Sequence, residues 1–307
     1  GTTYQYDTSH SLMKDVGDNI RYYGASPNNY IYFNCSDYSN QTSSTCETWR
    51  IIGVFNGKLK IIRGSQIGTY SWDNKDTSTG AESNFGKNDW TTARLMKLLN
   101  PSDYYKVDTN DNGLGQSLYY NSASGKCYSG QNNATVDCDF TSTGIKNDTT
   151  RNMIAETTWN IGGWSNSSVY PNQIYEYERG TTVYTGRPTT WMGKIALAYP
   201  SDYGYATAGG TTTNRESCLA KELYNWDGLS DCKNNDYLFK SSYVQWTLAL
   251  DSSNPDFAFI VFTKGYVNGY IVNSSYGVRP AAYLKSSISL SSVGDGSSTS
   301  PYQLKVG

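Results

Sequence analysis

The sequence predicts an α+β fold, with short helices packed on irregular antiparallel sheets and loops pinned by disulfides. Two β-rich runs in "WRIIGVFNGKLKIIRG" flank Asn56-Gly57, a dipeptide favoured in tight hairpin turns. Three other segments have helical spacing and lie between polar, turn-rich stretches. The six cysteines fall in three local pairs, and each pair brackets a polar segment.

Helices are expected in three segments. The first is "NDWTTARLMKLLNP", which ends at Pro101 because proline disfavours helix in the residue before it. The second is "NDTTRNMIAETTWN". The third is "TNRESCLAKELYNW", where Thr213 and Glu216 have the spacing of a capping box. Short strands are expected in "GKIALAY", "YVQWTLAL", "FAFIVFT", "GYVNGYIV", "VRPAAYL" and "YQLKV".

Local disulfides explain the cysteine spacing most simply, and they imply an oxidising, exported location. The expected pairs are Cys35 with Cys46, Cys127 with Cys138 and Cys218 with Cys232. A zinc site is the alternative, but it would need Cys-x-x-Cys pairs or several histidines, and His10 is the only histidine.

A calcium site is possible in a different segment, because Asp108–Gly113 is rich in oxygen ligands. That segment lacks the closing Glu of an EF-hand, which favours a plain turn and no metal or other cofactor.

The composition excludes some partners. The net charge is -2 and only 17% of residues are charged, so nucleic acid and anionic membranes are not expected ligands. No stretch has the roughly 20 apolar residues of a membrane helix, and Gly1 opens a polar segment rather than a signal peptide. We expect a mature product or a chain trimmed of its export segment. The 307 residues are expected to form one domain, with 1–48 less distinct and 286–307 forming a terminal hairpin.

Catalytic signatures are weak. A Ser/His/Asp or Cys/His catalyst needs a histidine, and His10 lies in a polar N-terminal segment. Glu176 with Glu178, or Asp231 with Asp236, could serve a glycosidase, which uses two carboxyl groups. Carboxylates this close are common on solvated faces, so we expect no enzyme.

The segment Asp256–Tyr276 favours binding instead. Tyr, Ser, Gly and Asn dominate the exposed-looking segments, as they do in antibody paratopes, and aromatic rings also stack on sugars. If Ile260 and Phe262 point inward by period two, then Phe259, Val261 and Thr263 point the other way. Both faces carry large groups, so either both faces are covered or one faces a partner. The polar and aromatic candidates are Phe257, Phe259, Thr263, Tyr266, Asn268, Tyr270, Asn273 and Tyr276.

The closing "YGVRPAAYL", the hairpin before it and "YVQWTLAL" resemble the end of the C-type-lectin-like, formylglycine-generating-enzyme-like fold. In that family a Gly-x-Arg-Pro strand closes the domain. The chain resembles more closely a group of exported proteins of gut Firmicutes, through Trp159–Thr207, "CLAKELYNW" and "GVRP". Such proteins often begin with a prepilin-type segment, which this chain does not show. The resemblance covers about Trp49 to the end.

The resemblance implies a C-type-lectin-like fold and a variable binding surface. Related lectin-like domains include the variable proteins of diversity-generating retroelements, whose mutagenised segment precedes the Arg-Pro strand. On this chain that segment is about Ser252–Tyr276. Residues typical of such mutagenesis there are Asp256, Phe257, Phe259, Thr263, Asn268, Tyr270, Ile271, Asn273 and Ser275. The enzyme branch of the fold needs reactive cysteines, whereas all six here can form local disulfides.

We therefore expect a non-catalytic adhesin or display domain, extracellular and attached to a cell surface through a pilus or membrane anchor. Its ligand would be a protein or a glycan at a cell or host surface, bound by the hairpin with support from Trp246. The alternatives are the globular head of a pilin-like structural subunit and, third, a sugar-active or formylglycine-generating-type enzyme. Thr263, Asn268, Tyr270 and Asn273 are expected to be replaceable at little cost, whereas Arg279 should be buried and essential to stability.

Overall fold

The computed structural model describes residues 3–75, 84–109 and 113–306. The strands are β1 (Gln5–Asp7), β2 (Leu12–Lys14), β3 (Ile20–Tyr22), β4 (Tyr30–Phe33), β5 (Glu47–Phe55), β6 (Lys58–Arg63), β7 (Thr69–Tyr70), β8 (Ser124–Tyr128), β9 (Thr135–Asp139), β10 (Thr157–Asn160), β11 (Gly163–Trp164), β12 (Thr190–Gly193), β13 (Ile195–Ala196), β14 (Gln245–Asp251), β15 (Phe257–Val261), β16 (Val267–Ile271), β17 (Tyr276–Gly277), β18 (Ala281–Tyr283), β19 (Ser289–Leu290) and β20 (Leu304–Lys305). The helices are α1 (Arg94–Leu99), α2 (Asp148–Met153), α3 (Pro171–Glu178), α4 (Pro200–Tyr205), α5 (Arg215–Leu219) and α6 (Ser230–Asn234), with 3-10 segments at Ser102–Tyr104 and Leu223–Gly228.

Two sheets organise the chain. The eight-stranded sheet has the order β1-β2-β3-β5-β6-β18-β13, with β4 also paired to β5. The six-stranded sheet has the order β16-β15-β14-β17-β7, with β11 also paired to β14. Most pairs are antiparallel, and the parallel exceptions both involve β14. The fold is therefore α+β, with mostly antiparallel sheets and short helices, as the sequence predicts.

The β5–β6 hairpin confirms the strongest turn signal. Asn56 and Gly57 have φ angles of 49° and 73°, which is the left-handed backbone that this two-residue turn requires. The pairing register of β5 with β6 shifts between Ile51 and Gly53, and at Gly53 the backbone of β3 approaches β5 closely. A Cβ on Gly53 would lie 2.1 Å from the carbonyl oxygen of Ile20, so only glycine fits there.

The helices are shorter than the sequence suggested. The second predicted helix stops at Met153, and its last residues form β10 instead. In the third, the capping-box prediction is wrong: the Asn214 side chain accepts from the backbone N–H of Ser217, one residue later than expected. The backbone N–H of Thr213 is held by Asp231 in the turn before the helix, which leaves the capping position to Asn214.

All three predicted disulfides are present, and no cysteine in the described part of the chain is free. They join Cys35 to Cys46, Cys127 to Cys138 and Cys218 to Cys232. Disulfides are typical of secreted and extracellular proteins. Over the ranges that the structure describes, no helix has the length and apolar character needed to span a bilayer.

One hydrophobic cluster runs from Ile31 to Leu304 and takes in strands of both large sheets. Aromatic side chains supply much of its volume. Trp49, Trp72 and Trp226 have no measurable exposure. Because each large ring removes a large apolar area from water, they stabilise a chain that is otherwise rich in polar residues.

A buried ionic cluster links the eight-stranded sheet to α4. Asp202 accepts from Arg21 Nη1 at 2.7 Å, from Lys60 Nζ at 2.6 Å and from the backbone N–H of Tyr199 at 2.8 Å. Arg21 also pairs with Asp15. Burial alone would raise the pKa of Asp202, but Lys60 and Arg21 lower it to about 2. The carboxylate is therefore charged and holds β3 and β6 against α4.

A second buried carboxyl, that of Glu178 at the end of α3, also binds α4. It accepts hydrogen bonds from the backbone N–H and the hydroxyl of Ser201, and Arg179 lies 3.0 Å away. Burial raises the pKa of Glu178 to about 7, against the opposing effects of Arg179 and Ser201. Glu178 thus fastens α3 to α4.

Asp202→Ala should lower the free energy of unfolding by about 3–5 kcal/mol, because Lys60 and one side of Arg21 stay buried without their carboxylate. Denaturant titration measures this loss. The matched control is Asp137→Ala, which removes an 88% exposed carboxylate paired with Lys126 and should cost less than about 0.5 kcal/mol. Equal unfolding midpoints for Asp202→Ala and the unmodified protein would contradict the assignment.

The same carboxylate predicts a loss of stability in acid. Its pKa is about 2 when folded and 3.8 in the reference state, so the unfolded chain binds more protons between these values. The contribution, about 2 kcal/mol, is present above the unfolded pKa and is lost as the pH falls towards the folded one. Asp202→Asn cannot titrate, so it should lack this part of the slope in acid denaturation series. If the free energy of unfolding of Asp202→Asn falls with pH as steeply as that of the unmodified protein, the lowered pKa of Asp202 is contradicted.

Candidate ligand-binding surface

The β15–β16 hairpin has one face in the core. Phe259 pairs with Gly269 and Val261 with Val267, so these residues share a face. Phe259, Val261 and Val267 are at most 2% exposed. Phe259 and Val267 border a small cavity that is also lined by Pro200 of α4. This face is scaffold.

The other face carries a chain of aromatic rings. Tyr276 lies 5.4 Å from Tyr270, Tyr270 lies 6.3 Å from Phe262, and Phe262 stacks on Tyr266 at 4.5 Å. Tyr224, from the 3-10 segment Leu223–Gly228, continues the chain 6.0 Å from Tyr266. We call these five residues the aromatic ridge. Since each ring contacts the next, the ridge is packed before any ligand arrives.

The ridge is open to solvent. Tyr224 is 46% exposed and Tyr270 is 39% exposed, while Phe262, Tyr266 and Tyr276 are half-buried. Burial and then the neighbouring Tyr270 phenol raise the pKa of Tyr276 well above its usual value, so its hydroxyl stays protonated. The ridge therefore offers apolar faces together with neutral phenol donors.

Trp246 lies beneath the ridge. Its ring is 5.1 Å from Tyr276, its side chain is 3% exposed, and its Nε1 donates to the carbonyl of Tyr70 at 2.9 Å. Trp246 was expected to support the hairpin, and the structure places it in contact with Tyr276. It fixes the ridge from below and has no face free for a partner.

Residues outside the β15–β16 hairpin hold its turn at Lys264-Gly265 through hydrogen bonds. Gly265 has a φ of 87°, which favours glycine, and its carbonyl accepts from the Tyr203 hydroxyl of α4 at 2.6 Å. Lys233 Nζ donates to the carbonyls of Lys264 and Asp227, so it ties the turn to the segment that carries Tyr224. These bonds set the two parts of the ridge relative to each other.

The segment before the hairpin is fixed by one amide. Asn88 Nδ2 donates to the carbonyls of Asp251, Asn254 and Phe257 at 2.8–2.9 Å. Arg187 Nε in turn donates to Asn88 Oδ1 at 2.9 Å. The hairpin is therefore entered from a rigid loop.

The predicted site residues divide by burial. Thr263, Tyr266, Asn268, Tyr270, Ser275 and Tyr276 are exposed or half-buried, and Phe257 and Ile271, which pair on the same face as Phe259, are half-buried. Trp246, Asp256, Phe259 and Asn273 are buried. Asn273 needs a correction, because it was expected to be replaceable: it is 0% exposed, its amide donates to Asn84, and its carbonyl accepts from Ser71.

Sequence reasoning missed Phe262 and Tyr224. The alternation along the strand placed Phe262 on the same inward face as Ile260. Ile260 is buried, but Phe262 follows the last residue of β15 and stacks on Tyr266 instead. Tyr224 is distant in sequence from the hairpin, and no local pattern marks it.

The closing strand behaves as expected. Arg279 is 2% exposed, and it donates to the carbonyls of Arg63 and Leu238, each at 2.9 Å. Burial lowers the pKa of Arg279 to about 10, so it remains charged at neutral pH. Arg279 thus links the closing strand to the end of β6 and to the backbone at Leu238, and it is part of the scaffold.

The carboxylate pairs considered for catalysis do not converge. Glu176 is exposed, whereas Glu178 is buried and bound to Ser201. Asp231 accepts from backbone N–H groups in the turn before α5, and Asp236 accepts from the N–H groups of the two residues that follow Tyr237. Glu178, Asp231 and Asp236 each serve a local structural role.

His10 lies in an exposed turn. Asp7 Oδ2 is 2.7 Å from its Nδ1, and Ser9 Oγ is 3.1 Å from the same nitrogen. A catalytic triad needs the serine and the carboxylate on different ring nitrogens. This arrangement is a turn and does not have the geometry of a proton relay.

Asp108, the first residue of the calcium candidate Asp108–Gly113, has a structural role. Arg94 Nη2 lies 2.9 Å from Asp108 Oδ2, so the Asp108 carboxylate forms an ion pair. Residues 110–112 of that segment lie outside the described residues. Within the described ranges, no group of three or more His, Cys, Asp or Glu side chains could hold a metal ion.

Comparisons of the chain with protein-family models, with curated proteins and with solved structures find no match. The function proposed below therefore rests on the geometry of the chain itself, and in particular on the aromatic ridge.

Proposed function

We propose that the protein is a non-catalytic extracellular ligand-binding domain and that the aromatic ridge is its contact surface. One observation carries the proposal: five aromatic rings from the β15–β16 hairpin, β17 and the Leu223–Gly228 segment each contact the next and are exposed or half-buried, beside a strand that is buried from Ala258 to Val261. Rigid aromatic side chains lose little conformational entropy on binding, and interfaces are enriched in them. A packed ridge on a fixed support is thus suited to contact.

A protein partner fits the ridge better than a glycan. Apart from the stacked pair of Phe262 and Tyr266, neighbouring ring planes along the ridge cross at 70° to 79°. The surface is therefore uneven, whereas stacking on a sugar ring favours an open, flat ring face. A glycan ligand remains the second candidate class for the same surface.

We further propose a C-type-lectin-like fold with a retroelement-diversified segment, based on the resemblance and on the burial pattern. A diversified position must accept many side chains, so the buried Asp256, Phe259 and Asn273 are unsuitable. The proposed variable positions are Thr263, Asn268, Tyr270, Ile271 and Ser275. Sequencing the flanking DNA tests this part: a near-copy of the coding segment beside a reverse transcriptase gene is expected, and its absence would contradict it.

Attachment to a cell surface through a pilus or membrane anchor is also a proposal. Its support is indirect, because three disulfides suit an extracellular setting and a display domain needs an anchor. The ridge would then face outward to a host or neighbouring cell.

The binding test uses a double variant, Tyr224→Ser with Tyr270→Ser. Both side chains are well exposed, so the variant should fold with an unchanged melting curve. The unmodified protein is screened against a panel of extracellular host proteins and a glycan array. Binding of at least one protein, weakened about 100-fold in the variant, is expected from the loss of two aromatic anchors.

The matched control is Met192→Ser with Val293→Ser, which removes two exposed apolar side chains outside the ridge. This control should bind as the unmodified protein does. Binding that survives in the ridge variant, or the absence of any bound protein or glycan, would refute the proposal. Concentration-dependent self-association that only the ridge variant abolishes would instead favour the pilin-like structural subunit.

A further inference from the structure

A cleft of about 610 Å³ lies between the first strand and the helices α3 and α5. It shares no residue with the aromatic ridge, and β1 belongs to the other large sheet. Its lining residues are Thr3, Tyr4, Tyr6, Tyr170, Asn172, Glu216, Leu219 and Ala220. We call it the tyrosine cleft. Its volume lies in the range of small-molecule sites, about 300–1,000 Å³.

Two of its tyrosines are held in place from behind. The ring of Tyr4 packs edge-on against Tyr205 at 5.9 Å. Tyr6 packs edge-on against Tyr23 at 5.7 Å, and its hydroxyl accepts from Arg215 Nη1 at 2.5 Å. Because these contacts fix the rings, the cleft walls need little ordering when a ligand binds.

Two polar side chains of the cleft, those of Asn172 and Glu216, are within reach of a ligand. Among the described residues, the Asn172 amide and the Glu216 carboxylate have no hydrogen-bond or ion-pair partner. Tyr170 and Tyr6 are 38% and 39% exposed, so their rings are reachable from solvent. The cleft therefore combines aromatic faces with an amide, which donates and accepts, and a carboxylate, which accepts only.

We propose that the tyrosine cleft binds a saccharide ring that is neutral or carries an amino group. The C–H faces of a pyranose can pack on the tyrosine rings, and its hydroxyls can bond to Asn172 and Glu216. Glu216 is the only charged residue among the lining residues described, and Arg215, which bonds to Tyr6, is 8% exposed and covered by the tyrosine rings. Acidic sugars would therefore meet repulsion from the exposed Glu216, and an amino group would gain an ion pair.

Ligand-observed NMR tests this with four probes: methyl glucoside, methyl galactoside, glucosamine and glucuronic acid. The first three should show saturation transfer at millimolar concentration, and glucuronic acid should bind about tenfold more weakly than glucosamine. Tyr170→Ala should abolish transfer from all three. Glu216→Gln should remove the advantage of glucosamine and leave the neutral sugars bound. Both positions are exposed, and unchanged melting curves would show that the variants fold.

The ridge variant Tyr224→Ser with Tyr270→Ser is the control, and its sugar binding should be unchanged. Absence of transfer from the three favoured sugars, preference for glucuronic acid, or binding that survives Tyr170→Ala would each overturn the inference. Since the ridge and the cleft share no residue, failure of sugar binding at the cleft leaves the ridge proposal standing, and the reverse also holds.

Discussion

The architecture depends on the carboxylate of Asp202, which accepts from Arg21, Lys60 and the backbone of Tyr199 inside the core. Two cations from the eight-stranded sheet, of which Arg21 also pairs with Asp15, are thereby bound to one residue of α4. Such buried charges are costly without partners, so the position of α4 is tightly specified. The next residue, Tyr203, extends the constraint, because its hydroxyl bonds to Gly265 in the hairpin turn. A buried ion pair in one sheet thus sets the position of the candidate surface on the other.

The ridge can be understood as a consequence of that support. Its rings pack on one another and, through Tyr276, on the buried Trp246. Strand β15 contributes Phe259 and Val261 to the core on one face and Ala258 and Ile260 on the other, so the hairpin backbone is anchored without the exposed side chains of the ridge. This separation allows the exposed residues to change without loss of the fold, which is the property that a binding surface needs.

Structural features that depend on residues close together in the chain were predictable from the sequence, and features that depend on contacts between distant residues were not. The Asn56-Gly57 turn and the disulfides depend on residues close in the chain, and both are present. The helix cap is Asn214 and not the predicted Thr213. The backbone N–H of Thr213 donates to Asp231, which lies eighteen positions later in the chain. The burial of Asn273 depends on Ser71 and Asn84, and the ridge gains Tyr224 from a separate segment. No periodicity encodes such pairings, since they arise only when the sheets and helices pack.

The segment 256–276 combines buried positions that the fold requires with exposed positions that can be replaced. A saturation scan of 256–276, read out as the folded fraction of displayed protein, separates the two sets. We expect broad tolerance at Thr263, Asn268, Tyr270 and Ser275. We expect intolerance at Phe259, Val261 and Asn273, where core changes cost about 2–5 kcal/mol. Equal tolerance at both sets, or intolerance at the exposed set, would contradict this division.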